Sequence, residues 1–222
     1  MARWHPDSDP CDDDGVDQRT VSVPAARLQR WIDGFLDRHG GNAAWEDEAL
    51  VLRGADDAIA RLQPLFPMDE PHGSLVDAFV HHASTPPRCA VILVRRGGFA
   101  AAIVDAGAVE ASDNGRRHVQ GRTAAGGWSQ QRFARRREKQ ANELVDAAAA
   151  YATEIVLPRL PVDSLVTGGD RALVQQVLAD PRLRPLQAIP RGPHLAVPDP
   201  RRDVVASLPE LLTSVRIDLV DP

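Results

Sequence analysis

Residues 126 to 131 read Gly126-Gly127-Trp128-Ser129-Gln130-Gln131, and Arg132, Arg135, Arg136, Arg137 and Lys139 follow at once. Two adjacent glycines permit positive φ and let a backbone approach another molecule closely. A glutamine amide is neutral at any relevant pH and is no general base, yet it can orient a water. Its backbone N–H can support developing negative charge. Guanidinium groups suit phosphate oxygens. These residue types therefore point to chemistry performed beside a polyanion, with a neutral amide as the positioning group.

Residues 116 to 139 hold eight Lys or Arg against one acid, Glu138, a formal charge of +7 in a chain whose net charge is −5. Such a local concentration in an acidic protein favours one basic site rather than a wholly basic surface. The candidate phosphate contacts are Arg116, Arg117, Arg122, Arg132, Arg135, Arg136, Arg137 and Lys139. The alternative is a solvated helix face, but so many like charges repel one another without a partner. Trp128 has two readings, a base-stacking ring at the loop tip or a buried aromatic that pins the loop. The segment Arg122 to Ser129 is expected to be mobile in the isolated protein, with Gln130 and Gln131 opening the helix that follows.

That helix, expected over Ser129 to Ala152, shows an apolar stripe of Phe133, Ala141, Leu144, Ala148, Tyr151 and Ile155. Its cations crowd the first turns, where they oppose the helix dipole. This local fault invites a functional explanation. Before the loop, Cys89 to Val94 and Phe99 to Val104 are apolar runs around Gly97-Gly98, a hairpin pattern. Val109 and Arg116 to Val119 are expected to add a third strand after a Ser112 to Gly115 turn. After the helix come a strand at Ser164 to Val166, Asp170 as a cap, and a helix Arg171 to Leu178. Ile189 to Val197 and Val215 to Val220 read as edge segments, with a helix Arg202 to Thr213 between them.

Towards the amino terminus, Val21 to Val23 suggests a short strand. Pro24 starts a helix carrying Leu28, Trp31, Ile32 and Phe35, which ends at His39-Gly40-Gly41. Ala49 to Arg53 reads as a strand and Asp56 to Leu62 as a short helix. Ser74 caps a helix Leu75 to Ala83. The expected organisation is a disordered acidic tail over 1–19, a small α/β unit over 20–63, and a larger domain over 64–222. The expected fold class is α+β (or α/β), a mixed sheet flanked by helices.

The run from Gly126 to Arg137 resembles the Gly-Gly-Gln loop and following helix in the middle domain of archaeal and eukaryotic class I peptide-chain release factors. Trp128 stands where that family carries its glutamine, and glutamines come two and three places later. The Ser129-Gln130 order with Arg132 is similar to the VMS-like release-factor branch, actinobacterial type, whose members carry a Gly-Ser-Gln-type loop. The resemblance covers roughly residues 65 to 222 and is dense over 120 to 145. It implies a peptidyl-tRNA hydrolase that frees nascent peptides from tRNA on stalled large ribosomal subunits. It assigns catalysis to Gln130 within Gly126 and Gly127, with Gln131 as second choice, and names rRNA and peptidyl-tRNA as partners. Water held by the amide would attack the ester, and RNA would supply the remaining groups. A non-catalytic RNA- or ribosome-binding factor is the runner-up, and a module binding an acidic protein is the third reading.

Other classes find little support. The histidines fit no zinc spacing, and His81 and His82 are adjacent rather than convergent. Gly97-Gly98 and Gly168-Gly169 lack a P-loop lysine, so neither metal nor nucleotide cofactor is expected. Two cysteines, Cys11 and Cys89, make no disulfide framework and suit a reducing compartment. No apolar run reaches membrane-spanning length, and the amino terminus lacks a signal-peptide pattern, so a cytoplasmic location is expected.

Overall fold

The structure, a computed structural model, describes residues 17–116 and 129–221. Residues 1–16 of the expected tail and the central loop over 117–128 lie outside the described residues. The chain forms two compact units, and its fold class is α+β, as expected.

The first unit contains residues up to Pro64, Met68 to Val80, and the chain from Val215. Strand β1 (Asp17–Pro24) leads into helix α1 (Ala25–His39), which buries Leu28, Ile32 and Phe35. Gly40 ends the helix at φ 63°, its N–H donating to the Leu36 carbonyl. Strands β2 (Asn42–Glu46) and β3 (Ala49–Arg53) form a hairpin through Asp47 and Glu48, both at positive φ, as a tight turn between twisted strands requires.

Three sequence expectations change in this unit. Residues 59 to 63 form strand β4 (Ile59–Gln63) rather than a helix, with Ala60 and Leu62 buried on alternate positions. The carboxy-terminal strand β10 (Ser214–Asp221) is no edge. The sheet order is β1-β10-β4-β3-β2, so β10 lies between β1 and β4. Its register against β4 pairs Ile217 with Leu62 and Leu219 with Ala60. The last strand of the chain thus completes the sheet that the first strand begins. Asp17 to Arg19, expected in the tail, belong to β1, where Arg19 pairs with Asp221 at 3.3 Å.

The second unit, Leu65 to Pro67 with His81 to Ser214, is a sheet of order β7-β6-β5-β8-β9. Its strands are β5 (Cys89–Arg95), β6 (Gly98–Asp105), β7 (Ala108–Gly115), β8 (Ser164–Gly169) and β9 (Arg191–Leu195). The β5–β6 hairpin matches expectation, and β8 and β9 run parallel to β5. Strands β5 and β6 are buried along nearly their whole length because both sheet faces are covered. Ile92, Phe99 and Ile103 pack with helices α3 (Ser129–Ile155) and α4 (Arg171–Leu178). Val91, Leu93 and Val104 pack with helices α5 (Arg202–Ala206) and α6 (Leu208–Leu212) on the other face.

Asp170 caps α4, its Oδ1 accepting from the amides of Ala172 and Leu173. The single helix expected over 202–213 is two, because Pro209 near the start of α6 has no N–H with which to continue α5. Ser112 to Gly115, expected as a turn, stay in β7, paired with β6 as far as Gly115 opposite Phe99. Helix α2 (Leu75–Ser84) follows Ser74, whose Oγ accepts from the Asp77 amide at 3.4 Å.

Candidate nucleic-acid interface

The basic segment is carried by two fixed ends. Strand β7 stops at Gly115, where any Cβ would fall 2.4 Å from the Phe99 ring. The glycine is therefore required for the strand to pass over that ring. Arg116, expected in a strand, follows outside it with its side chain exposed, and residues 117–119 of that expected strand lie outside the described residues. Helix α3 begins at Ser129, as expected, and runs three residues further than expected, to Ile155. Gly126, Gly127, Trp128, Arg117 and Arg122 lie outside the described residues, as does the mobility expected of their loop. Gln130, Gln131, Arg132 and Arg137 are placed by their backbone within α3.

Helix α3 is 27 residues long, about 40 Å at the α-helical rise. Its carboxy-terminal half is anchored. Leu144, Ala148, Ala149 and Ala152 are buried against the sheet, and Tyr151 meets Phe99 edge-on at 5.0 Å between ring centroids. The buried stripe thus includes Ala149 and Ala152, while Ala141, Tyr151 and Ile155 are only partly covered. Arg182 bridges Asp146 of α3 at 2.6 Å and Asp180 at 2.7 Å. The hydrogen bond from Arg182 holds the Asp180 carboxyl below the usual carboxylate range. Beyond the helix, Arg88 holds the return to β8. It donates to the carbonyls of Arg159 and Pro161 and pairs with Glu110 at 2.6 Å.

The amino-terminal half differs. From Arg135 to Glu143, none of the described side chains is buried, and Arg135, Arg136, Glu138 and Lys139 are exposed. Among the described residues, the ion pairs of this half reduce to Lys139 with Glu143, a loose contact of 3.9 Å. The first turn contains no acid to complement the helix dipole. The positive charge of Arg135 and Arg136 faces solvent.

The fold adds basic residues that the reading of the linear segment missed. Arg116 shares a cleft of about 240 Å³ with Gly97, Gly98, Asp199 and Arg201. Arg96, in the β5–β6 turn, and Arg202, beside Arg201, are also exposed. Arg95 is tied down, donating to the Val197 carbonyl. These residues come from positions 95 to 98, 116 and 199 to 202, and only pairing in the sheet and packing beneath it bring them together. The doubled arginines at 95–96 and 201–202 were the available signal, but their convergence is non-local. Asp199 neutralises part of this cluster.

Other chemistries have no comparable constellation. Among the described residues, no group of three His, Cys, Asp or Glu side chains could hold a metal ion. Cys89 is buried, and burial raises its thiol pKa to about 12, so the thiolate needed of a nucleophile is scarce. His194 is committed to structure, bonded to Thr167 Oγ1 at 2.9 Å and the Gly169 carbonyl at 3.2 Å. No described helix is long and apolar enough to cross a membrane.

No curated protein matches the chain. A family model described as the Actinobacteria/chloroflexi VLRF1 release factor matches residues 87–218, from the start of β5 into β10, and so spans the loop and all of α3. With more than half of its length matched, this chain belongs to the Actinobacteria/chloroflexi VLRF1 release factor family.

Proposed function

We propose that this chain hydrolyses the ester of peptidyl-tRNA on the large ribosomal subunit and so frees nascent peptides when translation stalls. The observation that carries the reading is the division of α3. A helix whose buried side chains, among those described, begin at Leu144 presents exposed Arg135, Arg136 and Lys139 and leads back to Gln130 and the Gly126-Gly127 loop. Family membership supports the release-factor role. Arginines of α3, with Arg116, Arg117 and Arg122, would meet RNA phosphates. Trp128 would stack on a base.

In this mechanism Gln130 orients a water toward the ester carbonyl. The water's oxygen bonds to that carbon, the bond to the tRNA 3′ oxygen breaks, and the departing oxygen takes a proton. A backbone N–H at the helix start supports the charge developing on oxygen. The amide acts by placement alone, since it neither gains nor loses a proton near neutral pH. The site of action would be the cytoplasm, where ribosomes work.

One observation favours the second reading, a non-catalytic ribosome-binding factor: Trp128 occupies the position at which class I release factors carry glutamine. Incubating purified large subunits that carry peptidyl-tRNA with the protein separates the two. Release of peptide supports hydrolysis, while binding without release leaves only the factor.

A further inference from the structure

A second basic surface lies on α1, in the first unit and outside the residues matched by the family model. Arg27, Arg30, Trp31, Gly34 and Arg38 follow helical spacing down one side of α1, next to the buried side formed by Leu28, Ile32 and Phe35. With Ser22 to Pro24 of β1 they line an open groove of about 510 Å³. Arg27, Arg30 and Arg38 are exposed, and among the described residues no acidic side chain lines the groove. Asp33 and Asp37, three and seven residues after Arg30, flank the arginine side of the helix, and Asp33 accepts from Gln29 Nε2 at 2.8 Å. Trp31 is half-buried, its ring stacked on Phe35 with centroids 5.9 Å apart, which fixes an aromatic plane among the three guanidiniums.

Gly34 is the informative residue. Glycine within a helix is destabilising relative to alanine. Internal packing does not require it here, because a Cβ at Gly34 would meet nothing within 4 Å. The missing side chain leaves room beside the helix on the same side as the arginines and the tryptophan, where Arg38 Nε donates to the Gly34 carbonyl at 2.9 Å. Gly34 thus keeps the groove clear between the arginines, where a larger side chain would project into it.

We infer that this groove binds single-stranded RNA, with Arg27, Arg30 and Arg38 on successive phosphates and Trp31 against a base. Three exposed cations lining one groove select a polyanion, and an ordered indole among them selects one that also carries flat rings. The inference rests on the ribosome-directed reading only for which RNA the groove meets. The surface itself is independent of α3.

The test uses the full chain and a fluorescent oligouridylate. Arg27→Glu/Arg30→Glu/Arg38→Glu should weaken binding and make the log-affinity against log-salt slope shallower by about 2, roughly 0.7 for each lost phosphate contact. Trp31→Phe should bind nearly as the wild type and Trp31→Ala more weakly. Gly34→Leu should unfold at or above the wild-type temperature yet bind RNA severalfold less well, a combination that a purely structural glycine cannot produce. A folded triple variant with unchanged affinity and slope overturns the inference, and so does Gly34→Leu with wild-type binding. Peptide release at saturating protein keeps the two proposals apart. Release that stays at the wild-type rate in the triple variant while RNA affinity falls supports the groove. If the wild type releases nothing but the triple variant still loses RNA affinity, the groove stands and the hydrolase reading falls.

Discussion

The two halves of α3 share one helix and almost nothing else. From Leu144 to Ile155 the helix is alanine-rich and buried, held by Phe99 and by the Arg182 bridge to Asp146. Up to Glu143 it is arginine-rich, and none of its described side chains is buried. Helix stability in proteins comes mainly from packing of one face. The second half therefore supports the first, which is free to hold like charges at a helix start where they cost stability. Residues that stabilise the helix and residues proposed to meet RNA are separated along one axis by about one turn.

Breaking the charged half should have the largest effect. Replacing Arg132, Arg135, Arg136 and Lys139 with Glu should abolish binding to large ribosomal subunits in cosedimentation while circular dichroism stays native. A quadruple variant that still binds normally would reduce the first half to a solvated face. Gln130→Ala comes next, with peptide release expected to fall by about 100- to 1,000-fold and ribosome binding unchanged. Wild-type release would remove the assignment, and a loss confined to Gln131→Ala would move the catalytic amide by one position.

The anchored half should answer in stability. Leu144 is fully buried, so Leu144→Ala should cost about 2–5 kcal/mol in urea unfolding through lost burial and a cavity. The charged variants should unfold near the wild-type midpoint, and a large stability loss in them would erase the division between the halves. The smallest effect should come from acid. Hydrogen bonds from Arg182, Arg53 and Thr20 hold Asp180, Glu46 and Asp218 respectively below their usual pKa values. A carboxylate depressed in the folded state contributes stability above its unfolded pKa and loses it as pH falls through the folded value. Urea midpoints should therefore be level above about pH 5 and decline below about pH 4. The decline should be modest, because these groups are near water. A midpoint that rises on acidification would contradict the assigned pairs.

The anchored half was largely legible in the linear chain, as were the hairpin of β5 and β6 and the cap at Asp170. Each has a local signal: an apolar run with β-branched residues, a glycine turn, or an aspartate before a helical repeat. Residues 59 to 63 were misread as helix because Ala60 and Leu62 fit either period over so short a span. They are strand because β3 and β10 supply partners on both sides. Ser112 to Gly115 looked like a turn by composition, yet pairing with β6 carries the strand through them. The α1 groove has no signal in the linear chain, because its arginines are spaced along a helix and do not form a run.

The amino-acid sequence by itself determined where the positive charge is concentrated, which residues open the long helix, and that glycines precede them. These are properties of neighbours along the chain, set by side-chain chemistry and short-range backbone preference. Only the tertiary structure decided that β10 completes the first sheet, that Arg116 shares a cleft with Arg201, and that α3 is held from Leu144 onward. Strand pairing and burial join residues far apart in the chain, and their free energy depends on which surfaces meet. Local propensity contains no record of that choice.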